Sequence, residues 1–320
     1  MTRLLLPLIL VLLFLGSAYR AEAADGCDFS ISNVNFGSVT LLGGAAIDTS
    51  ATLEIVCRNT LDVSLAVRVC PNIGAGSAGA GSGIRYMAGP SGQLLSYQLY
   101  QNPGRTTGWG SVDLPSVGAG PQIDILALPL TTTTVRVPIF ARLLANQQSA
   151  AGGAYISTFG AGQTRIAYTS YILNPPACSS ITQNATQVAF IVQANVNRTC
   201  DVVAQGINFG SRGLIATDVD ATGKLTVTCT PTLAYSIALN GGLSNAAPTQ
   251  RKMIRGTQHI LYGLYRNAGR TSPWGSAAGE TMSGTGSGSQ QDITIYGRVP
   301  AQNTPSAGTY TDTVVVTVTY

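Results

Sequence analysis

Six cysteines are the residues of this 320-residue chain best equipped for chemistry: Cys27, Cys57, Cys70, Cys178, Cys200 and Cys229. Thiols can pair with one another or hold a metal. No Cys-x-x-Cys spacing occurs and His259 is the sole histidine, so a zinc site lacks its usual ligand set. The same lone histidine leaves a Ser-His-Asp or Cys-His constellation with a single candidate base. Asp28, Asp201 and Asp312 stand at repeated positions, not as pairs for acid–base work. The glycine-rich runs at 74–83 and 284–288 lack the Lys-Ser/Thr of a phosphate loop. The Asn184-Ala185-Thr186 and Asn197-Arg198-Thr199 sequons are weak signals. The expectation is therefore no enzyme, no metal and no cofactor, with an even number of thiols engaged in disulfides.

Disulfides require an oxidising compartment, and the N-terminus supplies a route to one. Arg3 precedes an apolar run from Leu4 to Leu15, and Ala21-Glu22-Ala23 has the small-x-small pattern of a cleavage site. Residues 1–23 read as a signal peptide, the alternative being an uncleaved anchor. The apolar run is short for a bilayer core of roughly 30 Å. Charged residues make up 10% of the chain, and the basic ones behind its net charge of +4 are scattered, which argues against nucleic-acid binding. So weakly charged a β-rich chain is aggregation-prone before its strands pair, and it calls for a partner during export.

The elements that must position the cysteines come as a duplication. Cys27-Asp28 with Val34-Asn35-Phe36-Gly37 returns as Cys200-Asp201 with Ile207-Asn208-Phe209-Gly210. Tyr97-Gln98-Leu99-Tyr100 returns as Tyr262-Gly263-Leu264-Tyr265, Trp109-Gly110-Ser111 as Trp274-Gly275-Ser276, and Gly153-Ala154-Tyr155 as Gly308-Thr309-Tyr310. Short extended runs punctuated by Gly, Pro, Asn and Ser, with no helical periodicity, predict an all-β chain of two tandem β-sandwiches. The expected division is 24–178 and 179–320. Within each copy one cysteine opens the first strand and another closes the second, so Cys27–Cys57 and Cys200–Cys229 are natural pairs. Cys70 and Cys178 remain, and would staple the end of a Val63–Val69 strand to the segment leaving domain one. Six cysteines nonetheless allow many connectivities.

The Cys…Ile/Val-Asn-Phe-Gly opening, the Tyr-x-Leu-Tyr…Gly-Arg-Thr…Trp-Gly block and the closing run Gly308 to Tyr320 resemble the spore coat protein U family, which includes the pilins of archaic chaperone–usher pili. The two-domain layout resembles the tip adhesin of such a pilus. The resemblance implies immunoglobulin-like sandwiches that lack their last strand. A periplasmic chaperone fills the gap first, and at an outer-membrane usher a strand from the next pilin subunit replaces it. The implied function is a fimbrial tip adhesin that attaches cells to abiotic or host surfaces and promotes biofilm formation, exported through the periplasm to the fimbrium tip. The alternative is a structural spore-coat or cell-surface coat protein.

Several expectations follow from that resemblance. The sequence stops at Tyr320, so domain two is expected to lack its closing strand, with Val314, Val316 and Val318 on its acceptor edge; the alternative makes 313–320 the last strand of a complete sandwich. Only three residues separate Ala23 from Cys27, too few for a donor extension, which points to a terminal subunit. Val188, Phe190, Val192, Ala194 and Val196 alternate as a donor strand would. They either complete domain one in cis or form domain two's first strand. The candidate adhesive loops carry Leu41, Leu42, Tyr86, Met87, Leu114, Val117 and Phe159, the alternative being that these side chains tuck onto the sandwich. Trp109 and Trp274 recur in both copies, which favours a structural role. Arg105 and Arg270 are expected to brace turns through backbone carbonyls.

Overall fold

The structure, a computed structural model, describes residues 26–59, 64–160 and 162–320. The expected signal segment, its cleavage site and Val63 lie outside the described residues. Among the described residues domain one contains twelve strands: β1 (Gly26–Ile31), β2 (Val34–Val39), β3 (Ile47–Asn59), β4 (Ala66–Ile73), β5 (Ala80–Gly81), β6 (Ile84–Ala88), β7 (Leu94–Tyr100), β8 (Ile123–Leu126), β9 (Thr131–Leu143), β10 (Gly153–Phe159), β11 (Thr164–Tyr171) and β12 (Phe190–Val196). One sheet runs β1-β3-β9-β7-β6-β10-β12-β2, with the short β5 on β6, and a second runs β11-β4-β8. Domain two follows with β13 (Cys200–Gln205), β14 (Val219–Cys229), β15 (Ala234–Leu239), β16 (Arg251–Arg255), β17 (Gln258–Tyr265), β18 (Met282–Thr285), β19 (Gln290–Val299) and β20 (Val316–Thr319). Its sheets are β13-β14-β19-β17-β16 and β18-β15-β20. The chain is thus two immunoglobulin-like sandwiches in tandem.

Alternation builds each core. In β3 the inward positions Ala51, Leu53, Ile55 and Cys57 are buried while their neighbours are half-exposed, the period-2 pattern of a strand with one dry face. Two separate apolar clusters result. One gathers residues from Cys27 to Val196 and the other residues from Ile215 to Val299. Val188, Phe190, Val192, Ala194 and Val196 all belong to the first cluster. The boundary therefore falls between Val196 and Cys200, not at Cys178/Ser179. What moves it is strand pairing: β12 lies antiparallel to β10 and parallel to β2 within domain one's sheet. The strand completes domain one in cis, and domain two's first strand begins at Cys200.

Three disulfides tie the framework. Cys27–Cys57 and Cys200–Cys229 join directly opposed residues of neighbouring strands, each pair with Cα atoms 4.0 Å apart. Cys70–Cys178 closes a much longer loop. Cys70 sits within β4, not at its end, and its bridge forms a small buried cluster with Ala167 and Ile181.

The recurring motifs have local causes. Asn35 Oδ1 accepts the N–H of Gly37 at 2.8 Å, and Asn208 Oδ1 accepts that of Gly210 at 2.8 Å. Both glycines have positive φ, which is why an Asn-x-Gly turn recurs. Trp109 and Trp274 are fully buried, and each indole N–H donates to a backbone carbonyl at 3.0 Å, of Pro71 and Ile237 respectively. Arg105 and Arg270 donate to the carbonyls of Pro103 and Ala268 at 2.9 and 2.8 Å and lie over the rings of Phe140 and Tyr296. His259 is exposed in the β16–β17 hairpin, opposite Ile254.

Candidate functional site

Because the chain carries the fold twice, one copy measures what the other lacks. Gly153-Ala154-Tyr155 corresponds to Gly308-Thr309-Tyr310, which makes Ser157 the counterpart of Asp312 and Phe159 that of Val314, so Asp312, unlike Asp28 and Asp201, does not stand at a repeated position as expected. Pairing supports the alignment: Ile156 bridges Ala88 in domain one, and Thr311 bridges Ile254 in domain two. In domain one, β10 continues into β11, and β12 runs back down its free edge. In domain two the corresponding segment runs from Gly308 through the isolated bridge at Thr311 into β20, and among the described residues no strand pairs with Tyr310 or Asp312 on the side that β12 occupies in domain one.

The consequence is a groove. Tyr310, Asp312, Val314 and Val316 form one wall, Gln205, Ile207 and Phe209 the other, and Leu239, Met253, Leu264 and Ile295 are part of the floor, around about 270 Å³. The opposing wall records what is missing. In domain one Val34 and Phe36 are buried within β2, because β12 pairs with that strand and covers them. Their counterparts Ile207 and Phe209 are only half-buried, and residues 206–210 have no strand partner. Backbone that forms a strand with a neighbour does not do so without one. Beside it, Val202 and Val203 of β13 are exposed.

Val314, Val316 and Val318 point at the second core, half-buried. Val316 and Val318 lie in β20, whose backbone is paired with Leu239 and Ile237 of β15. β20 is the last strand of its sheet, so its other side has no strand partner among the described residues, and the unpaired edge runs on from the segment 308–314 into β20. Val314 and Val316 line the groove with their side chains, and Val318 does not reach it.

The groove contains one charged contact. Asp312 Oδ2 accepts the Tyr262 hydroxyl at 2.7 Å, and its Oδ1 accepts the backbone N–H groups of Leu243 at 2.9 Å and Thr313 at 2.7 Å. Burial and the adjacent Asp312 carboxylate push the Tyr262 phenol far up. In domain one the pair is Tyr97 and Ser157, both fully buried. Burial raises the Tyr97 phenol to about 12. The two hydroxyls lie beside one another, but neither makes an in-range hydrogen bond.

The expected adhesive loops are mostly not at the surface. Leu41, Met87, Val117 and Phe159 are buried, and Leu42, Tyr86 and Leu114 are half-buried. Phe159 stacks on Phe190 of β12 with ring centroids 4.4 Å apart, so the donor-like strand is what hides it. Exposed apolar side chains gather elsewhere: Leu65, Leu126 (63% exposed), Leu128, Leu130 (81%), Ile172 and Leu173 (84%). The register brings them together, since Ala66 pairs with both Leu126 and Tyr171, and Asn59 pairs with Thr131. The turns 126–131 and 171–173 and the start of β4 thus share one pole of domain one. The opposite pole holds Gly153 paired with Val196, where the chain leaves for domain two.

A pair of buried cations also escaped the sequence reading. Arg85 donates to the carbonyls of Ile73, Gly74 and Trp109 at 2.6 to 2.8 Å and to Gln98 Oε1. Arg251 likewise donates to the carbonyls of Asn240, Pro248, Leu239 and Trp274. Burial lowers Arg85 to about 10. Both lie one strand pair away from the repeated tyrosine (Arg85↔Tyr97, Arg251↔Tyr262), a recurrence that the alignment of the two copies would have exposed.

With this geometry in hand, comparison with known proteins is specific. The family model described as Spore Coat Protein U domain matches residues 15–162 and again 186–317. The chain belongs to the Spore Coat Protein U domain family. Protein U of Myxococcus xanthus is 34% identical over 145 residues, which is 40% of this chain and 80% of that protein. Among solved structures, the chaperone–tip adhesion subunit pre-assembly complex CsuC–CsuE, from archaic chaperone-usher Csu pili of Acinetobacter baumannii, contains a chain of the same fold. That chain aligns over 92% of this chain and 100% of its own length, at 17% identity with a TM-score of 0.54. The CupB6 tip adhesin of Pseudomonas aeruginosa covers 93% of this chain and 95% of its own, at 11% identity with a TM-score of 0.41, too loose a match to equate the architectures. The second Spore Coat Protein U match begins at Thr186, upstream of β12, whereas hydrogen bonding gives β12 to the first domain.

Proposed function

We propose that this chain is a fimbrial tip adhesin: domain one is closed by its own β12, and domain two receives its closing strand from the next pilin subunit. The observation that carries the reading is the internal contrast, a strand filling one copy and a groove of the same outline open in the other. An open edge over an apolar floor takes an extended segment through main-chain hydrogen bonds and alternating side-chain pockets. A periplasmic chaperone covers this edge during export and hands the subunit to an outer-membrane usher; the structure containing the chain of the same fold is a chaperone–tip adhesion subunit pre-assembly complex, which favours that order. The apolar pole of domain one, opposite the exit to domain two, is the surface for attachment to abiotic or host material and hence for biofilm growth. A contiguous exposed apolar patch of this kind marks an interaction site.

Immunogold electron microscopy with an antibody to domain one tests the assignment. Single particles at fibre ends are expected. Labelling along fibres removes the tip role. Labelling of a spore or cell coat without fibres leaves the second reading, a structural coat protein, which the family's description favours.

A further inference from the structure

The register of β12 in domain one specifies what the open groove of domain two will accept. Opposed inward pairs along that strand are Val196 with Gly153, Ala194 with Tyr155, Val192 with Ser157 and Phe190 with Phe159. Large faces small where space is short, as Ala194 does Tyr155. Moved to domain two, the four positions face Gly308, Tyr310, Asp312 and Val314. Three of these keep the character of the pocket, with extra room where Val314 replaces Phe159. The third changes it in kind. Val192, fully buried, covers a serine; its counterpart would cover a carboxylate.

Resting on the acceptor reading above, we propose that Asp312 selects the strand that domain two accepts, requiring a hydrogen-bond-donating side chain such as Thr, Ser or Asn where β12 has Val192. The incoming segment runs antiparallel to 308–314 and parallel to 207–210, as β12 does to β10 and β2. It carries a bulky apolar residue opposite Val314, the donor opposite Asp312, Ala or Gly opposite Tyr310 and an aliphatic residue opposite Gly308. Asp312 already accepts three hydrogen bonds, from Tyr262, Leu243 and Thr313, and two carboxylate oxygens offer about four acceptor sites. A hydroxyl or amide fills the remaining site as the strand expels water. A valine removes the water and returns nothing, leaving a buried charge short of its partner. The groove therefore discriminates against β12 of a second copy, which would otherwise fit its other pockets and chain the adhesin to itself.

The test uses two synthetic peptides on the full chain: the Gln187–Val196 segment and the same segment with Val192→Thr. Affinity is read by fluorescence anisotropy. The threonine peptide is expected to bind about tenfold tighter or better, the size of one unsatisfied buried polar contact. On the Asp312→Ser chain that preference is expected to vanish or invert. Equal affinity of the two peptides on the unaltered chain overturns the selectivity and leaves the acceptor reading intact. Binding of neither peptide to either chain overturns the acceptor reading, and the proposal with it. The comparison on the unaltered chain stands even if Asp312→Ser fails to fold.

Discussion

At the scale of single residues, one fully buried arginine organises each sandwich, Arg85 in domain one and Arg251 in domain two. Arg85, itself fully buried, satisfies the backbone carbonyls of Ile73, Gly74 and Trp109. Arg85→Met keeps most of the volume and none of the donors, so denaturant unfolding should show a loss of about 3 kcal/mol or more. Arg85→Lys should not restore it, because one ammonium cannot reproduce the planar fork that reaches all three oxygens. The surface carboxylates act through pH instead. The Arg68 guanidinium, 2.6 Å from Asp124, holds that carboxyl below its ordinary value of 3.8, and Arg142 and Arg298 do the same for Asp48 and Asp220. A depressed carboxylate contributes stability that is present above the unfolded value and lost as pH falls through the folded one. Melting temperature should therefore fall below about pH 4, and Asp124→Asn should lower it at neutral pH while flattening that acid limb.

At the scale of elements, β12 decides whether domain one exists. Val192 is fully buried between β10 and β2, so Val192→Asp should cost well over about 4 kcal/mol. The chain has two tryptophans, one per domain, which makes the outcome readable. Emission from Trp109 should report an unfolded domain one, while emission from Trp274 in a Trp109→Phe background keeps its native melt. The Cys70–Cys178 bridge encloses 108 residues and ties β4 to the segment that leads into β12. Chain-entropy reasoning puts its worth at about 4 to 5 kcal/mol. The Cys70→Ser, Cys178→Ser double variant should therefore bring domain one's unfolding midpoint down more than loss of either short-loop bridge does in its own domain.

At the scale of the whole molecule, the two copies should melt independently. A strand peptide at one hundred times its dissociation constant should stabilise domain two by about 2.7 kcal/mol, raising that midpoint by about 10 °C. The domain-one midpoint should not move, because β12 already fills its groove. The opposite pole is tested by charge: Leu126→Asp, Leu130→Asp and Leu173→Asp together should abolish attachment of cells to hydrophobic plastic without shifting either midpoint. The same substitutions at Val117 or Phe159 would instead unfold domain one, since both are buried.

The duplication, the all-β class and the pairs Cys27–Cys57 and Cys200–Cys229 were legible in the sequence because each is a short-range or periodic property. A thiol at the end of one strand faces a thiol at the end of the next, and an Asn-x-Gly turn needs only its own three residues. The alternation Val188 to Val196 was legible as a strand, but not its owner. A run of apolar residues at every second position fits any open edge, and only the pairing of β12 with β10 and β2 assigns it to domain one. The adhesive loops were misread for a related reason. Whether Phe159 or Met87 is exposed depends on what packs over it, and the covering side chain can lie 31 residues away, as Phe190 does from Phe159. The exposed set at Leu126, Leu130 and Leu173 comes from two distant chain segments that only the β11-β4-β8 register brings to one pole.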